Sequence, residues 1–365
     1  MNPQILYNIF EKVSKRRSQG KDVIKLNVGE PEQSPPKSLI SAINTSFKLG
    51  RITYGPATGD PKLRKVLARK HGVKEENILI GPGSKFLIYA SLKLLLSKNN
   101  GGILIPLPAW SAFSLMLSDL KIKNIVFLPT HEKDSWNINV NHLKRKLSKN
   151  VNTIIITNPN NPTSTTVDTK TVKEIENISI KRDITLIKDC AYDALQFTKT
   201  TSKTNLKNTI EINSFSKKFC MTGFRIGYLI ASKEIVETLT RFMQITISNV
   251  PLFIQDGAIE LLKKEPRFPR KIAGIYKKRA KLIGDILKKN NITFVKPQAG
   301  FYIFANIGKP SEKLCLDLID KGVSFVPGTA FGPYPNYIRI SLTENEDRLK
   351  KGIGILIKSL SQASS

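Results

Sequence analysis

The sequence predicts an α/β fold built on a mostly parallel sheet that is covered by helices on both faces. Between about residues 77 and 249, short apolar strands alternate with amphipathic helices, and such alternation is typical of βαβ units. After Pro266 the pattern changes to one long lysine-rich helix followed by short strands, which indicates a smaller α+β region. A chain of 365 residues is long enough for roughly two domains with well-formed cores.

The predicted elements follow one another in a regular order. The N-terminal stretch MNPQILYNIFEKVSKRRSQG is a short amphipathic helix. In the larger region the predicted strands are ILIG, ILIPL, NIVFLP, TIIITN, ITLIKD, IEINSF and RIGYLIA. The helices that alternate with them are SKFLIYASLKLLL, WSAFSLMLSDL and VKEIENI, and a long helix follows Ser232. The smaller region has the helix RKIAGIYKKRAKLIGDILKKN, the strands FYIFANI, VSFVPG and YIRISL, and a closing helix.

The formal net charge of +29 raises the question of a nucleic-acid partner. The lysines are spread over most helices instead of forming one stripe, and no nucleic-acid-binding module is recognisable. We therefore expect a cationic, solvated surface that adheres nonspecifically to polyanions at low salt, without a specific nucleic-acid partner. The charge could also draw in anionic substrates.

Cysteine and histidine usage indicates neither a disulfide framework nor a metal site. The three cysteines, Cys190, Cys220 and Cys315, show no CxxC spacing, and the three histidines are scattered. The N-terminus lacks the apolar core of a signal peptide, and no run of about 18 apolar residues occurs. We expect a cytoplasmic protein that does not enter a membrane.

The segment SFSKKFCMTGFR, residues 214–225, sets a lysine beside hydroxyl groups and an arginine eight residues further on. A lysine forms a Schiff base only when its amine can lose a proton, which requires a desolvated, cation-rich pocket. Lys217 could therefore carry pyridoxal phosphate (PLP), with Arg225 as the cation and Ser214 as a phosphate donor. A basic turn between two strands explains the same residues equally well.

An acidic residue, Asp189, ends the predicted strand ITLIKD, and Tyr192 follows three residues later. A carboxylate buried at a strand end is costly unless it meets a cation, and a protonated pyridine nitrogen would be such a partner. Tyr192 would then lie near the phenolic oxygen of the cofactor. Taken alone, the pair is explained better by a helix cap and a core tyrosine.

Two loops offer further polar groups. The strand TIIITN runs into PNNPTS, where Asn161, fixed by Pro162, could donate to the cofactor's phenolic oxygen and to a substrate carboxylate. In NILIGPGSKFLIYASLKLLL a glycine-rich turn opens a helix, so Gly83, Ser84 and Lys85 could cradle a phosphate. A dinucleotide site and a Walker loop are excluded, because the third glycine and the Gly-Lys-Ser/Thr triplet are missing.

Ten short motifs occur in the order found in class I aminotransferases: LNVGEP, YGPATGDPKLR, GPGSK, PAW, NPNNPT, DCAY, SFSK with its following arginine, FYIF, VPGTAFG and YIRISL. Over roughly residues 24–345 the chain resembles the class I/II aminotransferase family of fold-type I PLP enzymes, and within it the aspartate-type members. The resemblance implies a larger PLP-binding α/β domain at residues 40–265. It also implies a smaller α+β domain formed by residues 1–39 and 266–365, with substrate bound between the two.

The resemblance also implies roles for individual residues. Lys217, Asp189 and Tyr192 would be the catalytic residues: the covalent anchor and proton carrier, the partner of the ring nitrogen, and a partner of the phenolic oxygen. Trp110 would stack on the ring. The implied cofactor-binding set is Gly83, Ser84, Lys85, Trp110, Asn161, Asp189, Tyr192, Ser214, Lys217 and Arg225, together with Tyr54 from a neighbouring subunit, which makes the active species a homodimer.

For the substrate, the resemblance implies Gly29, Trp110, Asn161 and Arg339. Arg339, in YIRISL, would bind the α-carboxylate through two parallel hydrogen bonds, and Gly29 would let the N-terminal segment close over the substrate. Two positions depart from the family pattern. Ser164 replaces the glycine that usually follows NPT, and Cys190 replaces the glutamate that usually follows the aspartate, so the loop geometry at these two positions is open to change.

The predicted activity is ping-pong transamination between an amino acid and a 2-oxo acid. Glutamate with 2-oxoglutarate is the expected shared pair, and aspartate with oxaloacetate the first choice for the other, with aromatic amino acids as related donors. The same residues would serve a β-lyase or a decarboxylase, which act on the same carbanion. A binding protein that has retained the fold is disfavoured, because the lysine, the acid and the arginine are all present.

Overall fold

The computed structural model describes residue 2 and residues 4–97, 101–198 and 205–362. The strands in chain order are β1 (Ile24–Lys25), β2 (Ile78–Gly81), β3 (Gly102–Leu107), β4 (Ile125–Pro129), β5 (Val151–Thr157), β6 (Thr185–Asp189), β7 (Thr209–Ser214), β8 (Gly227–Ile230), β9 (Thr293–Phe294), β10 (Tyr302–Asn306), β11 (Val323–Ser324), β12 (Val326–Pro327) and β13 (Tyr337–Ser341). The α-helices are α1 (Gln4–Ser18), α2 (Lys37–Lys48), α3 (Pro61–His71), α4 (Ser84–Ser97), α5 (Ala112–Asp119), α6 (Val140–Lys146), α7 (Thr169–Lys181), α8 (Phe215–Lys218), α9 (Lys233–Thr246), α10 (Leu252–Lys264), α11 (Phe268–Lys289), α12 (Ser311–Asp320) and α13 (Glu346–Gln362).

The largest sheet has seven strands in the order β2-β8-β7-β6-β5-β3-β4. The strands from β7 across to β4 pair in parallel, whereas β8 runs antiparallel to both of its neighbours. Every residue of β7 is buried, including the polar Glu211 and Asn213, because both faces of the sheet are covered. The prediction of a mostly parallel sheet is confirmed.

The side chains of the central strands alternate between two separate cores. Ile155 and Ile187 pack in the core that includes residues of α4 and α5. Ile154 and Leu186, their neighbours in sequence, pack in the core that includes residues of α6 and α7. This alternation follows from the two-residue period of a strand and places helices on both faces.

Strands β5 and β6 end at the same level, and β7 continues two residues further. Thr157 at the end of β5 is in register with Asp189 at the end of β6, and Asp189 is in register with Ile212 of β7. Because these strands are parallel, their carboxyl ends share one edge, which is where open α/β sheets bind their ligands.

The C-terminal part of the chain forms a four-stranded antiparallel sheet in the order β12-β13-β10-β9. The predicted single strand VSFVPG is two short strands, because β11 pairs with β1 while β12 pairs with β13. The parallel pair of β1 and β11 attaches the N-terminal segment beside this sheet. Helix α11 buries one stripe, including Ile272, Tyr276 and Ile283, and leaves its lysines on the other side.

The helix predicted after Ser232 ends at Thr246, and α10 follows as a separate helix. Ser248 has a positive φ of 62°, and Pro251 lacks the backbone N–H that a continuing helix would need. Within the part of the chain that the structure describes, no helix has both the length and the apolar character needed to cross a bilayer.

Three charged side chains are buried together on the face of the large sheet that α7 covers. Lys188 Nζ lies 3.1 Å from Glu176 Oε1 and 3.3 Å from Glu211 Oε2. The side chains of Lys188, Glu176 and Glu211 are only 6%, 11% and 10% exposed. A buried ammonium group is tolerated here because two carboxylates face it, so its removal leaves uncompensated negative charge in a low-dielectric region.

We therefore expect Lys188→Ala to lower the free energy of unfolding by about 3 kcal/mol or more, because breaking a buried ion pair leaves its partner charges unsatisfied. Urea denaturation measures the change. The matched control is Lys233→Ala, which removes an exposed ion pair with Glu237 at 4.0 Å and should change the same quantity by less than about 0.5 kcal/mol. Equal effects of the two substitutions would contradict a role for burial.

Candidate active site

Lys217 lies in the single helical turn α8, directly after β7. The turn forms because Ser214 caps it: the Ser216 amide donates to Ser214 Oγ at 3.1 Å. Phe215 and Phe219 are buried with their rings stacked 6.1 Å apart, which anchors the turn in the core. Lys217 is half-buried in the cleft at the end of the sheet, where its Nζ donates to the carbonyl oxygen of Gly29.

The electrostatic surroundings of Lys217 favour its neutral form. Burial lowers the pKa of the amine to about 8, Glu30 raises this pKa, and the cations Arg225 and Arg339 lower it further. An amine with a pKa near 8 is partly deprotonated at neutral pH, whereas an ordinary lysine is not. The site therefore holds an amine that can act as a nucleophile.

Asp189 lies at the end of β6 and is 4% exposed. Burial raises the pKa of its carboxyl group to about 6, although the Ala191 amide, which donates to Oδ1 at 3.2 Å, and the Thr157 hydroxyl lower it. A cation brought next to Asp189 would favour the carboxylate form. Tyr192, three residues further on, is buried, and its hydroxyl lies 3.2 Å from the hydroxyl of Tyr302.

A cradle for an anion lies at the start of α4. Gly83 has a φ of 86°, and a Cβ atom there would lie 2.6 Å from Arg225 Nη2. A Cβ atom on Gly227 would lie 2.9 Å from the backbone nitrogen of Ser84. Gly227 is in register with Ser214. Glycine at positions 83 and 227 therefore allows three groups to approach one another. These are the first-turn amides of α4, the guanidinium of Arg225 and the end of β7.

Arg339 of β13 is held in a fixed orientation and is 7% exposed. Its Nη1 donates to Asn161 Oδ1 at 3.0 Å and its Nη2 to the carbonyl oxygen of Asn27 at 2.7 Å. Its guanidinium carbon lies 4.3 Å from the ring centroid of Tyr302. The Nε of Arg339 is buried and has no hydrogen-bond partner among the residues that the structure describes. A buried, orphaned guanidinium donor is costly in the free protein, and an anionic ligand would satisfy it.

The structure brings Gly29 into the site in a way that the sequence did not indicate. A Cβ atom at this position would lie 1.9 Å from the hydroxyl oxygen of Tyr302, so only glycine fits. Tyr302 itself was missed as a site residue, although it contacts Tyr192 and Arg339 as well as Gly29. The only available signal was a hydroxyl-bearing aromatic residue in the otherwise apolar strand FYIF.

Two predicted aromatic residues lie at the margin of the site. Trp110 is half-buried, with its ring 5.6 Å from that of Phe113, and the ammonium of Lys85 lies 5.9 Å from the Trp110 ring centroid. Tyr54 is 87% exposed and projects to solvent. Its surroundings within one chain therefore give it no contact to the groups around Lys217.

Comparison with known proteins gives one family. Residues 21–356 match the family model described as aminotransferase class I and II. The chain is 31% identical to an aspartate aminotransferase of Pyrococcus horikoshii, over 96% of this chain and 93% of that protein. It is 28% identical to a probable aspartate/prephenate aminotransferase of Aquifex aeolicus, over 99% of this chain and 97% of that protein.

Solved structures show the same fold. An aspartate aminotransferase from Thermus thermophilus with maleate superposes with a TM-score of 0.92 at 22% identity, covering 98% of this chain and 97% of that one. An aromatic aminotransferase from Pyrococcus horikoshii superposes with a TM-score of 0.88 at 28% identity, covering 96% of this chain and 99% of that one.

The lowered pKa of Lys217 has a measurable consequence. In the protein free of any cofactor, labelling of Lys217 by trinitrobenzenesulfonate should rise through an inflection near pH 8, because only the neutral amine reacts. Arg225→Met should move the inflection to higher pH and Glu30→Gln to lower pH, since these changes remove a cation and an anion. Site-resolved mass spectrometry measures the labelling.

Lys281 is the internal control for this experiment. It is exposed and its ammonium donates to Asp285 at 2.8 Å, which raises its pKa, so it should be labelled only at higher pH than Lys217. An identical pH profile for both lysines would contradict the desolvation of Lys217.

Proposed function

Because this chain belongs to the aminotransferase class I and II family, we propose that it transfers amino groups on PLP held covalently by Lys217. The chain is an aminotransferase, and members of this family are PLP enzymes. The fold-type I architecture and the aspartate-type resemblance expected from the motifs are confirmed. One observation carries the proposal for this site: burial and the cations Arg225 and Arg339 lower the pKa of the Lys217 amine to about 8.

The residues of the site fit PLP. The turn of Gly83 and Ser84 with Arg225 offers amides and a guanidinium to a phosphate, and the buried Asp189 lacks a cation that a ring nitrogen would provide. When bound, PLP supplies an aldehyde that links to an amine and a ring that withdraws electrons from the substrate's α-carbon. We assign Ser214 and the amide of Lys85 to the same phosphate cradle.

Each remaining residue has a proposed task. Asp189 holds the proton on the ring nitrogen, and Tyr192 with Asn161 donates to the phenolic oxygen. Asn161 Nδ2 suits this task because its Oδ1 already accepts from Arg339. Lys217 Nζ, once free, moves the proton between the α-carbon of the substrate and the C4′ carbon of the cofactor. Trp110 covers the ring face.

The proposed substrates are an amino acid and a 2-oxo acid that share one carboxylate site at Arg339. The relatives described above are named aspartate, aspartate/prephenate and aromatic aminotransferases, so we propose aspartate or an aromatic amino acid as donor and 2-oxoglutarate as acceptor. These names disfavour a β-lyase or a decarboxylase. The net charge of +29 supports attraction of such anionic substrates.

We also propose a homodimer with shared active sites. The segment with Phe47, Leu49, Ile52 and Tyr54 exposes 49%, 70%, 67% and 87% of these side chains, a patch typical of an interface. In the dimer, Tyr54 of the partner subunit would reach the phosphate. We retain the division into residues 40–265 and residues 1–39 with 266–365, and a cytoplasmic location in keeping with the free cysteines.

The decisive experiment is to add PLP to the purified protein, reduce it with borohydride and locate the modified lysine by mass spectrometry. Modification of Lys217, and none of the adjacent Lys218 in the same peptide, is the expected result. In a separate sample of PLP-loaded protein that has not been reduced, single-turnover reactions with aspartate, glutamate and aromatic donors should each release one equivalent of the corresponding 2-oxo acid. A protein that stays unmodified at Lys217 would overturn the proposal.

Arg339→Lys should raise the KM for both the amino acid and the 2-oxo acid by about 10-fold or more, because an ammonium cannot form two parallel hydrogen bonds with a carboxylate. The dissociation constant of PLP should stay unchanged. The control is Arg241→Lys, which alters an exposed arginine of α9 and should leave both KM values as they are. A rise in only one of the two KM values would contradict a shared carboxylate site.

Tyr54→Phe should weaken PLP binding by about 10-fold, the loss of one hydrogen bond to a charged group, without dissociating the dimer. Fluorescence titration measures the affinity and analytical ultracentrifugation the mass. Tyr7→Phe is the control, since Tyr7 is also an exposed tyrosine, on α1. A monomer that binds PLP with full affinity would refute the shared site.

A further inference from the structure

Ser164 adopts a left-handed backbone conformation that a residue with a Cβ atom rarely takes. Its φ is 55°, and its side chain is 1% exposed in the loop that follows Asn161. Ser164 stands where the family resemblance leads one to expect glycine, and it nevertheless keeps the conformation that suits glycine. The strain calls for a compensating contact of the side chain.

The compensating contact is a hydrogen bond to the strand that carries Tyr302. Ser164 Oγ accepts from the Tyr302 amide at 3.1 Å. The carbonyl oxygen of Ser164 accepts from the amides of Gln298 at 2.8 Å and Ala299 at 3.1 Å. One residue of the loop after β5 thus binds three backbone amides at the start of β10. Gly300 leaves room for this hydroxyl, because a Cβ atom at position 300 would lie only 3.3 Å from Ser164 Oγ.

The sheet itself does not satisfy the Tyr302 amide. Tyr302 is in register with Ser341, and the Leu342 amide donates to the Phe301 carbonyl at 2.8 Å. In an antiparallel pair this pattern makes Tyr302 and Ser341 a non-hydrogen-bonded pair, so the Tyr302 N–H points away from β13. The hydroxyl of Ser164 therefore supplies the acceptor that this buried donor requires.

Tyr302 in turn contacts three residues of the site. Its ring centroid lies 4.3 Å from the guanidinium carbon of Arg339, and its hydroxyl lies 3.2 Å from that of Tyr192. The same hydroxyl closes against Gly29 so tightly that no Cβ atom fits there. A displacement of Tyr302 would therefore change the surface on which the Arg339 guanidinium rests.

We propose that Ser164 is a positioning residue whose hydroxyl holds the Tyr302 backbone and thereby fixes the Tyr302 ring against Arg339. The consequence for substrate rests on the proposed function, in which Arg339 binds the carboxylate. The hydrogen bond itself can be tested without it. Ser164→Ala keeps the strained conformation and removes the acceptor, whereas Ser164→Gly removes both the strain and the acceptor.

The first measurement is hydrogen exchange at the Tyr302 amide in the cofactor-free protein. Both variants should exchange this amide about 10-fold faster or more than the wild type, because its hydrogen-bond acceptor is gone. The amide of Leu342, bonded to the Phe301 carbonyl, is the internal control and should change less. Unchanged exchange at Tyr302 in both variants would overturn the proposal.

The second measurement is binding of maleate, a dicarboxylate without an amino group, to the PLP-loaded protein. Both variants should bind maleate about 10-fold more weakly and raise KM, with the PLP dissociation constant and kcat little changed, because the defect lies at the carboxylate site. In combination with Arg339→Lys, either variant should weaken maleate binding by a smaller factor than it does alone, because both substitutions act on the same guanidinium.

The two measurements separate the possible failures. If Ser164→Gly is more stable to heat than the wild type and binds maleate equally well, the serine is merely tolerated and the proposal is wrong. If the wild type takes up neither PLP nor maleate, the proposed function fails, and hydrogen exchange at Tyr302 alone decides the role of Ser164.

Discussion

The parallel pairing of β6 with β5 and β7 is the constraint on which the site depends. It brings Asp189, the last residue of β6, level with Thr157, the last residue of β5, and with Ile212, two residues before the end of β7. Ser214 then ends β7 and caps the turn that carries Lys217. A slip of one residue would turn every side chain of the strand to the other face. The acid, the lysine and the anion cradle hence depend on one register.

The same two-residue period of β6 places Lys188, the neighbour of Asp189, on the opposite face of the sheet. Lys188 precedes Asp189 and lies between Glu176 and Glu211, on the face that α7 covers. Beside this cluster, His71 Nε2 lies 2.9 Å from the Tyr228 hydroxyl, and burial lowers the pKa of His71 to about 4. Lys218, the neighbour of Lys217, is buried with its ammonium 4.2 Å from the ring centroid of Phe215. Of these buried groups Lys188 is paired with two carboxylates, whereas burial lowers the pKa of His71 and of Lys218 and favours their neutral forms.

Local patterns were sufficient to predict the strands of the large sheet, its mostly parallel pairing and the family, but not the helices α2, α3, α6 and α12. Lys217, Asp189 and the GPGSK turn are each readable because the strand or turn that presents them lies next to them in the sequence. Other features could not be predicted in this way, because they depend on contacts between distant segments. These are the order of the strands in the sheet, the separate pairing of β11 and β12, and the break between α9 and α10. The roles assigned to site residues and the domain boundaries remain predictions.

The contacts of Arg339 and Tyr302 show why the rest of the site could not be predicted from the sequence. Arg339 donates to a carbonyl 312 residues away in the chain, at Asn27, and any residue type could supply that oxygen. Tyr302 meets Gly29, Tyr192 and Arg339 from a strand whose sequence looks like ordinary core. Serine itself does not indicate the positive φ at position 164, and only the glycine that the family resemblance leads one to expect there pointed to it.

The side chains of Arg339 and Lys217 are both oriented by main-chain oxygens of one short stretch after β1: Arg339 by that of Asn27 and Lys217 by that of Gly29. Such acceptors persist under almost any substitution, apart from position 29 itself, where the phenol ring leaves no space. Insertion or deletion of a single residue after β1 would instead withdraw both oxygens at once. The length of this part of the molecule should consequently stay fixed during evolution.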